Sequence, residues 1–298
     1  MEWKGVKGTV LENVPMKRYT SMRVGGQAKY LVYPADEADL TRTLYFVKGK
    51  GMGHRFLGNG TNVIVSDEGL NDVLIRITKM KYVRYSRTKS GAVADVAGGV
   101  SLKALIKESA EKGLSGLEKL YWIPGTIGGG IKMNAGSFGQ SISDALEEID
   151  LVDVRGNRNV LKKDRSNFGY RTSPVGATDC VVRARFVLKQ KDKREILKDM
   201  EYVYGERKKR HPMEYPSAGS VFKSVQGEPA WKFIERAGLK GFSIGGAGIS
   251  EKHANFIVNL GSARAQDVKN LIERIKEEVY EKLGVALHEE VELWGFNG

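Results

Sequence analysis

The stretch PGTIGGGIKMNAG, at residues 124–136, says more about the architecture of this chain than any other segment. Five of its thirteen residues are glycine, and its only charged residue is Lys132. Glycine permits backbone angles that other residues avoid and lets a ligand approach the main chain closely. A flexible linker would be polar, whereas this stretch interleaves glycine with isoleucine, methionine and alanine. The pattern therefore favours a packed loop whose N–H groups face a flat or phosphorylated ligand.

The composition of the 298-residue chain is that of a globular protein, with 41% hydrophobic and 28% charged residues. The opening sequence MEWKGVKG is polar, and no apolar run approaches the length of a membrane span. The single cysteine, Cys180, excludes an internal disulfide and reads most simply as a small core residue. These features predict a cytoplasmic protein with no membrane partner.

The chain carries 48 Lys and Arg against 36 Asp and Glu, a formal net charge of +12 that favours anionic partners. Residues 183–210 hold eleven basic and five acidic side chains, most of them in one charged helical pattern. A solvated helix face explains that pattern better than nucleic-acid binding, because no aromatic RNA-binding motif and no Cys/His zinc pattern accompanies it. The charge therefore indicates a phosphorylated small molecule, and neither a nucleic-acid partner nor a metal site is predicted.

Hydrophobic periodicity and β-branched runs predict an α+β chain of three modest domains. The predicted helices cover residues 36–48, 102–112, most of 191–210, 230–237 and 266–283, with Ser101 and Gly284 as cap positions. The predicted strands cover residues 30–33, 54–57, 63–65, 73–77, 92–97, 146–154, 180–188 and 256–258, and a closing strand contains Leu287, Val291 and Leu293.

Two further glycine loops follow predicted strands: LGNGTN at residues 57–62 and AGG at residues 97–99. Successive N–H groups in such turns form anion-binding concavities, and Thr61 and Asn62 add side-chain donors. Neither loop has the spacing of a Rossmann fingerprint or of a P-loop. A tight turn explains either loop alone, whereas three glycine loops in one half of a chain indicate a large, phosphate-bearing cofactor.

Four other clusters are open to two interpretations each. Arg171 in FGYRTS suits a carboxylate, since guanidinium is a two-pronged donor, but a surface-turn arginine fits equally well. Ser220 in PSAGSVFK is either a functional hydroxyl or a turn serine. His253 in KHANFIVN reads more simply as a core histidine, and Glu289 and Glu290 in HEEVELWG as a solvated acidic pair.

Taken together and in order, these segments resemble the UDP-N-acetylenolpyruvoylglucosamine reductase family, flavoenzymes that complete UDP-N-acetylmuramate for peptidoglycan. The resemblance spans nearly the whole chain, and its central segment and PSAGS pentad are its most specific parts. The matching segments are RVGG (23–26), LGNGTN, GLSGLEKLYWIPGTIGGGIKMNAG (113–136), FGYRTS (168–173), PSAGS (216–220), SEKHANFIVN (250–259) and GVALHEEV (284–291).

The resemblance implies an α+β fold with two FAD-binding subdomains of the vanillyl-alcohol-oxidase type, at residues 1–79 and 80–205, and an α/β substrate-binding domain at residues 206–298. It also implies non-covalent FAD, NADPH as hydride donor, a sugar-nucleotide substrate and a monomeric protein. In the implied reaction, hydride reaches C3 of the enolpyruvyl vinyl ether and a proton reaches C2.

Site residues carry over from the family by motif. The catalytic residues would be Arg171, Ser220 and Glu290. The FAD-binding residues would be Leu57, Gly58, Asn59, Gly60, Thr61, Asn62, Pro124, Gly125, Thr126, Gly128, Gly129, Asn134 and Arg207. The substrate-binding residues would be Arg171, Lys208, Arg210, Lys223 and Ser224, and no metal is implied.

The chain departs from the family pattern in three places. Trp122 stands where glycine is usual before IPGT, and Ser224 replaces a common asparagine. Only 44 residues, 172–215, separate Arg171 from Pro216, which indicates the shorter subtype that lacks an extra substrate-covering loop. A related FAD-dependent oxidoreductase of the same fold with another substrate is the alternative interpretation.

Overall fold

The computed structural model describes residues 2–164 and 167–296. The chain divides into two compact units, each assembled from three separate segments. The first unit comprises Met1–Glu12, Tyr30–Asn59 and Asn71–Glu206, and the second comprises Asn13–Lys29, Gly60–Leu70 and Arg207–Gly298. The predicted boundary at 205/206 lies beside the unit boundary at 206/207. The division of the FAD-binding part at 79/80 is not a unit boundary and stays a prediction.

The described residues form helices that are separated by one or more strands. The helices are α1 (Glu37–Gly49), α2 (Leu102–Glu111), α3 (Ile127–Lys132), α4 (Lys193–Arg210), α5 (Ala230–Arg236) and α6 (Ala265–Leu283). The strands are β1 (Thr9–Pro15), β2 (Gln27–Tyr33), β3 (His54–Phe56), β4 (Val63–Val65), β5 (Leu70–Ile75), β6 (Val83–Thr88), β7 (Gly91–Ala97), β8 (Leu114–Ser115), β9 (Gly136–Ser137), β10 (Gln140–Ser141), β11 (Leu146–Val152), β12 (Arg158–Lys162), β13 (Cys180–Gln190), β14 (Ser217–Ser220), β15 (Ser243–Ile244), β16 (Ala247–Ile249), β17 (Phe256–Asn259) and β18 (Glu292–Trp294).

The main sheet of the first unit is antiparallel, with strand order β12-β11-β13-β7-β6 and β8 paired to β13. Its central strand β13 is rich in β-branched and apolar residues, which suit a pleated surface buried on one face. Phe186 of β13 is fully buried, and it belongs to one core with Leu105 of α2 and with Ile127 and Ile131 of α3. Burial against this core explains why the glycine-rich stretch is ordered.

A second apolar cluster of the first unit forms around α1. Leu40, Leu44 and Val47 share the buried face that the sequence pattern predicts, and they pack with residues of β5. Asp36 caps the helix, because its carboxylate accepts a hydrogen bond of 2.7 Å from the N–H of Asp39. Strand β3 lies parallel to β5 in a sheet of order β1-β2-β5-β3.

The second unit is built on the antiparallel sheet β14-β17-β16-β15, against which α6 packs. The predicted apolar stripe of α6 is confirmed, with Val268, Leu271, Ile272, Ile275 and Val279 all buried. Gly284 ends the helix at φ +67°, the left-handed conformation that glycine adopts without steric cost. Strand β18 pairs in parallel with β4, so the C-terminal strand joins a segment far earlier in the chain.

Three sequence-based expectations differ from the structure. Residues 127–132 form the short helix α3 and not a loop, because Thr126 caps the stretch and its isoleucines pack into the core. Ser101 occupies the N-cap position of α2 without a side-chain cap hydrogen bond. The closing strand begins at Glu292, and Leu287 is a buried residue outside it.

Candidate active site

Two segments predicted to bind the cofactor touch within the first unit. Thr126 accepts a hydrogen bond of 3.2 Å from the N–H of Gly129 and so caps α3. A Cβ built on Gly58 would lie 2.8 Å from Oγ1 of the same threonine. That approach is closer than real Cβ contacts allow, so the turn at Gly58 requires glycine. The structure therefore brings Gly58 and Thr126 together, as expected for two parts of one binding surface.

The N–H groups of α3 itself bond within the protein. Gly128 donates to the carbonyl of Gly98 at 2.9 Å, and Ile127 donates to the carbonyl of Val100 at 2.8 Å. A Cβ on Gly128 would lie 3.3 Å from the carbonyl oxygens of Gly98 and Val181. The N–H groups of Gly128 and Gly129 therefore have acceptors within the protein, and Gly128 lets α3 pack closely on the sheet. The cofactor role of these two glycines stays a prediction.

Other N–H groups without a partner among the described residues lie in the turn after β3 and in the turn that precedes α3. Within residues 2–164 and 167–296, the backbone N–H groups of Gly58, Asn59, Gly125 and Thr126 have no hydrogen-bond acceptor. Backbone N–H groups without a protein acceptor suit phosphate or carbonyl oxygens of a ligand. These four donors keep the predicted cofactor role available to Gly58, Asn59, Gly125 and Thr126.

Asn134 supplies a further unsatisfied group. The side chain is 6% exposed, and its amide nitrogen donates to the carbonyl of Gly169 at 2.8 Å. Its Oδ1 is buried and has no donor within the described part of the chain. A buried polar atom without a partner costs about 1–3 kcal/mol, so this oxygen fits a ligand that donates a hydrogen bond. The pattern of donors and acceptors suits FAD, which offers phosphates and a ring that can both donate and accept.

Arg171 lies at the rim of a cleft of about 780 Å³ in the first unit. Its guanidinium donates to the carbonyl of Gly136 at 3.3 Å, and its backbone has φ +56°. Left-handed backbone in a non-glycine residue is uncommon and marks a constrained position. The cleft is lined by Asn134, Gly136, Ser137, Gly139, Gln140, Ser141, Ser143, Asp144, Lys163, Phe168, Gly169, Tyr170 and Arg171.

Ser220 and Glu290 are connected in the second unit through the peptide groups of Val221. Ser220 ends β14 and lies opposite Phe256 of β17. The carbonyl of Val221 accepts a hydrogen bond of 2.7 Å from the N–H of Glu290. The two predicted catalytic residues of this unit are therefore each adjacent to the same short segment.

Asn62 is also tied to Glu290. Its amide nitrogen donates to the carbonyl of Glu290 at 2.9 Å, and its own carbonyl accepts from the N–H of Glu292 at 2.9 Å. The side chain of Asn62 is thus engaged with the main chain, and a cofactor role would fall to its backbone. Glu289 differs from its neighbour: although burial opposes ionisation, the hydrogen bond from Lys276 at 2.7 Å lowers the pKa of Glu289.

The remaining predicted residues lie at two places in the second unit. Arg207, Lys208 and Arg210 form the last turn of α4, with Lys208 and Arg210 exposed. Lys223 donates its N–H to the carbonyl of His288 at 2.9 Å, and Ser224 follows it. Residues 223–224 therefore continue the segment after Ser220 and lie beside the segment that contains Glu290.

A half-buried pair of histidines lies beside β17, and the contact between their rings was not predicted. The rings of His211 and His253 are 5.6 Å apart, and each lies 4.9 Å from the ring of Phe256. Burial lowers the pKa of His211 from 6.5 to about 4, and the nearby positive charge of Arg207 adds to the effect. Burial also lowers the pKa of His253, which fits the predicted core histidine.

The His211 environment predicts a pH dependence of stability. Between pH 6.5 and about 4 the unfolded histidine binds a proton that the folded one excludes, so the unfolding free energy falls as the pH is lowered through this window. The unfolding free energy of the wild type should fall between pH 7 and pH 4, and His211 should account for about 2–3 kcal/mol of that fall. His211→Gln should abolish this part of the fall. Urea titrations measure it, with His288→Gln as an exposed control. Identical pH profiles for wild type and His211→Gln would contradict the assignment.

Trp122 adopts a backbone conformation that glycine would reach without steric cost. Its φ is +67°, in the left-handed region. The indole stacks on Tyr204 of α4 at 4.8 Å, and the ammonium of Lys103 lies 3.0 Å from a ring centroid of the indole. Stacking and a cation–π contact offset a backbone strain of about 1–2 kcal/mol.

The stacking contact can be tested from the side of α4. Tyr204→Ala should lower the unfolding free energy by about 1 kcal/mol, because it removes the partner of Trp122 without relieving the strain. Tyr202→Ala on the same helix is the matched control: that side chain is 63% exposed, and its loss should cost less than about 0.5 kcal/mol. Equal effects of the two substitutions in chemical denaturation would show that the stack contributes nothing.

Two kinds of feature are absent from the described part of the chain. No helix in the described residues is both long and apolar enough to traverse a lipid bilayer. Over the same residues, no group of three or more His, Cys, Asp or Glu side chains is arranged to hold a metal ion.

The FAD binding domain family model matches residues 28–161, the part of the chain that carries the glycine turns and Asn134. The chain is thus an FAD-containing oxidoreductase. The model for the C-terminal domain of UDP-N-acetylenolpyruvoylglucosamine reductase matches residues 211–294. The chain belongs to the UDP-N-acetylenolpyruvoylglucosamine reductase family.

Relatives of known identity agree over almost the full length. UDP-N-acetylenolpyruvoylglucosamine reductase of Carboxydothermus hydrogenoformans is 40% identical over 98% of this chain and 96% of its own. That of Aquifex aeolicus is 36% identical over 95% and 94%. The crystal structure of the reductase from Thermus caldophilus aligns with a TM-score of 0.80 and 36% identity, over 97% of this chain and 99% of its own. The predicted family, α+β fold class and FAD cofactor are therefore confirmed.

Proposed function

We propose that this enzyme reduces UDP-N-acetylglucosamine enolpyruvate to UDP-N-acetylmuramate for peptidoglycan synthesis, with NADPH as the reductant. The observation that carries the proposal is the cleft of the first unit, where the guanidinium of Arg171 and the unsatisfied Asn134 line one cavity. A cation beside a flavin-binding surface suits a substrate that bears a carboxylate. The family membership of the whole chain supplies the identity of that substrate.

When bound, FAD supplies the two-electron carrier through which a hydride from NADPH reaches the substrate. The residues that would hold it are Gly58, Asn59, Gly125, Thr126 and Asn134, whose unpaired groups face no protein partner within the described residues. The overall change consumes NADPH and one proton, reduces the carbon–carbon double bond of the enolpyruvyl ether, and releases NADP⁺.

Three side chains of this chain are assigned to the substrate. Arg171 binds the carboxylate, and it remains charged at any working pH. As C3 gains hydride, negative charge develops over C2 and the carboxylate, and a positioned cation stabilises that charge more than it stabilises the substrate. Ser220 delivers the proton to C2, a step open to a weak acid only because the carbanion is strongly basic and within hydrogen-bond reach. Glu290 assists at the same end of the substrate.

Basic residues of the second unit are assigned to the nucleotide. Lys208 and Arg210 at the exposed end of α4 are suited to the diphosphate, and Arg207 to the flavin phosphates. Lys223 and Ser224 are assigned to the sugar. We further propose that the chain is a monomer acting in the cytoplasm, and that it belongs to the shorter subtype indicated by its residue spacing.

FAD is proposed to be held without a covalent bond. Covalent attachment in related flavoproteins uses histidine or cysteine. Cys180 is buried, and burial raises the pKa of its thiol, which disfavours the reactive thiolate. Flavin should therefore be released into solution when the purified protein is denatured and filtered.

The function is tested by following flavin colour under anaerobic conditions. NADPH should bleach the oxidised holoenzyme, and UDP-N-acetylglucosamine enolpyruvate should restore the absorbance in one turnover. UDP-N-acetylglucosamine, which lacks the enolpyruvyl group, is the control and should not restore it. A flavin that NADPH bleaches but the enolpyruvyl substrate leaves reduced would favour the alternative, a related flavin oxidoreductase with another substrate.

A further inference from the structure

We propose that Asn255 is a positioning residue for the proton donor: its side-chain amide fixes the backbone of residues 221–222 and thereby holds Ser220 in place relative to Glu290. The proposal rests on the function proposed above, since it concerns the protonation step. Asn255 is not one of the residues assigned to the substrate. It acts through the backbone of residues 221–222, which follow Ser220.

Both ends of the Asn255 side chain bind the same residue. The N–H of Phe222 donates to Oδ1 at 2.9 Å, and Nδ2 donates to the carbonyl of Phe222 at 2.9 Å. The carbonyl of Asn255 also accepts from the N–H of Val221 at 2.9 Å. The side chain is 6% exposed, so these hydrogen bonds are shielded from water and their geometry is fixed.

The Asn255 side chain binds the backbone at the point where the regular pairing of β14 with β17 is interrupted. Strand β14 pairs with β17 at Ser217 and at Ser220, with a register shift between these two positions. Gly219, directly before Ser220, has φ +80°. A bulge of this kind re-aims the side chain that follows it and weakens the local ladder. Beyond the bulge, Asn255 supplies the hydrogen bonds that a regular ladder would have supplied.

The same segment also carries Glu290. The carbonyl of Val221 accepts hydrogen bonds from the N–H of Glu290 at 2.7 Å and of Val291 at 3.4 Å. Phe222 in turn forms an antiparallel bridge with Glu289. One peptide segment, clamped by Asn255, is therefore the common support of the serine hydroxyl and the glutamate backbone.

Strand β17 offers a matched control. Asn259 is also 6% exposed, and its amide is equally engaged. It accepts from the N–H groups of Gly261 and Ala263 and donates to the carbonyl of Met22 at 3.0 Å. Replacing Asn259 by alanine removes a buried amide at the end of β17, four residues after Asn255, without touching residues 221–222.

The test compares Asn255→Ala with Asn259→Ala in the holoenzyme. Both should lower thermal stability. Only Asn255→Ala should slow reoxidation by the enolpyruvyl substrate, by about 10–100-fold, with flavin reduction by NADPH within about twofold of wild type, and with a larger solvent deuterium isotope effect on reoxidation. If Asn255→Ala does not fold, Asn255→Asp keeps an acceptor for the N–H of Phe222 and should show the same split. Equal reoxidation rates for the two alanine variants would overturn the proposal.

A double-mutant comparison separates positioning from an independent role. In a Ser220→Ala background, Asn255→Ala should slow reoxidation no further, because it acts through the hydroxyl that is already absent. A further slowing of tenfold or more in that background would overturn the proposal. Failure of the wild-type enzyme to be reoxidised by the enolpyruvyl substrate would instead refute the proposed function, so the two failures are distinguishable.

Discussion

Replacing Ser220 by alanine is expected to slow reoxidation of the reduced flavin by the enolpyruvyl substrate by about 10²–10⁴-fold, the usual contribution of a general acid. Reduction by NADPH should stay within about twofold, because no proton is delivered to C2 in that half-reaction. Ser220 ends β14 at a bulge, so removing its hydroxyl leaves the backbone support from Val221 in place. Stopped-flow absorbance of each half-reaction measures the split.

Ser217 on the same strand provides the control for this substitution. Its backbone carbonyl accepts a hydrogen bond of 2.6 Å from the hydroxyl of Ser21. This hydrogen bond does not involve the Ser217 side chain. Ser217→Ala should therefore reoxidise like wild type. Loss of the same size in both half-reactions of Ser220→Ala would argue against proton delivery and for a general disturbance of the site.

Arg171→Ala is expected to show the second large effect, with reoxidation slowed about 10²–10³-fold and weaker substrate binding. Arg171→Lys should recover only part of the loss, since an ammonium group cannot form the two-pronged contact with a carboxylate. The dependence of the reoxidation rate on substrate concentration separates the rate from the affinity. NADPH reduction serves as the internal reference.

A second cation of the same cleft tests whether charge alone matters. Lys163 also lines the cleft, and its ammonium lies 3.5 Å from the carbonyl of Asp144. Lys163→Ala should change the reoxidation rate less than about threefold, as expected for a partly exposed charge. Wild-type reoxidation in Arg171→Ala would remove that residue from the proposed mechanism.

The helices and strands that could be predicted from the sequence are those determined by local residue patterns. The stripe of α6, its cap at Gly284 and the start of α1 near Asp36 follow from spacing and residue type. Strands β1, β6 and β12 went unpredicted because they are mostly exposed or half-buried and lack long apolar runs. The glycine-rich stretch was assigned to a loop because three adjacent glycines oppose a helix by about 1 kcal/mol each. That cost is offset by the burial of Ile127 and Ile131 in the core and by the hydrogen bond from Gly128 to Gly98, which no local pattern reports.

In the candidate site, too, local motifs identified some residues, whereas residues that depend on long-range contacts were not found. Motifs located Arg171, Ser220 and Glu290, but their roles remain predictions. The supports of these residues were not visible in the sequence, because they join distant positions: Asn62 with Glu290 across 228 residues, and Asn255 with Phe222 across 33. Such pairs depend on sheet topology, which residue type and spacing do not specify.

The segmented make-up of the second unit has a consequence for how the protein is made. Its core joins Met22, Val24 and Ile64 with residues as late as Val291. During synthesis the early apolar residues emerge from the ribosome long before their partners exist, whereas chains generally fold from the N-terminal side first. Completion of this core must therefore wait until Val291 has left the ribosome. A chain that stopped before Glu292 would lack strand β18 and would leave β4 without its partner in the second unit.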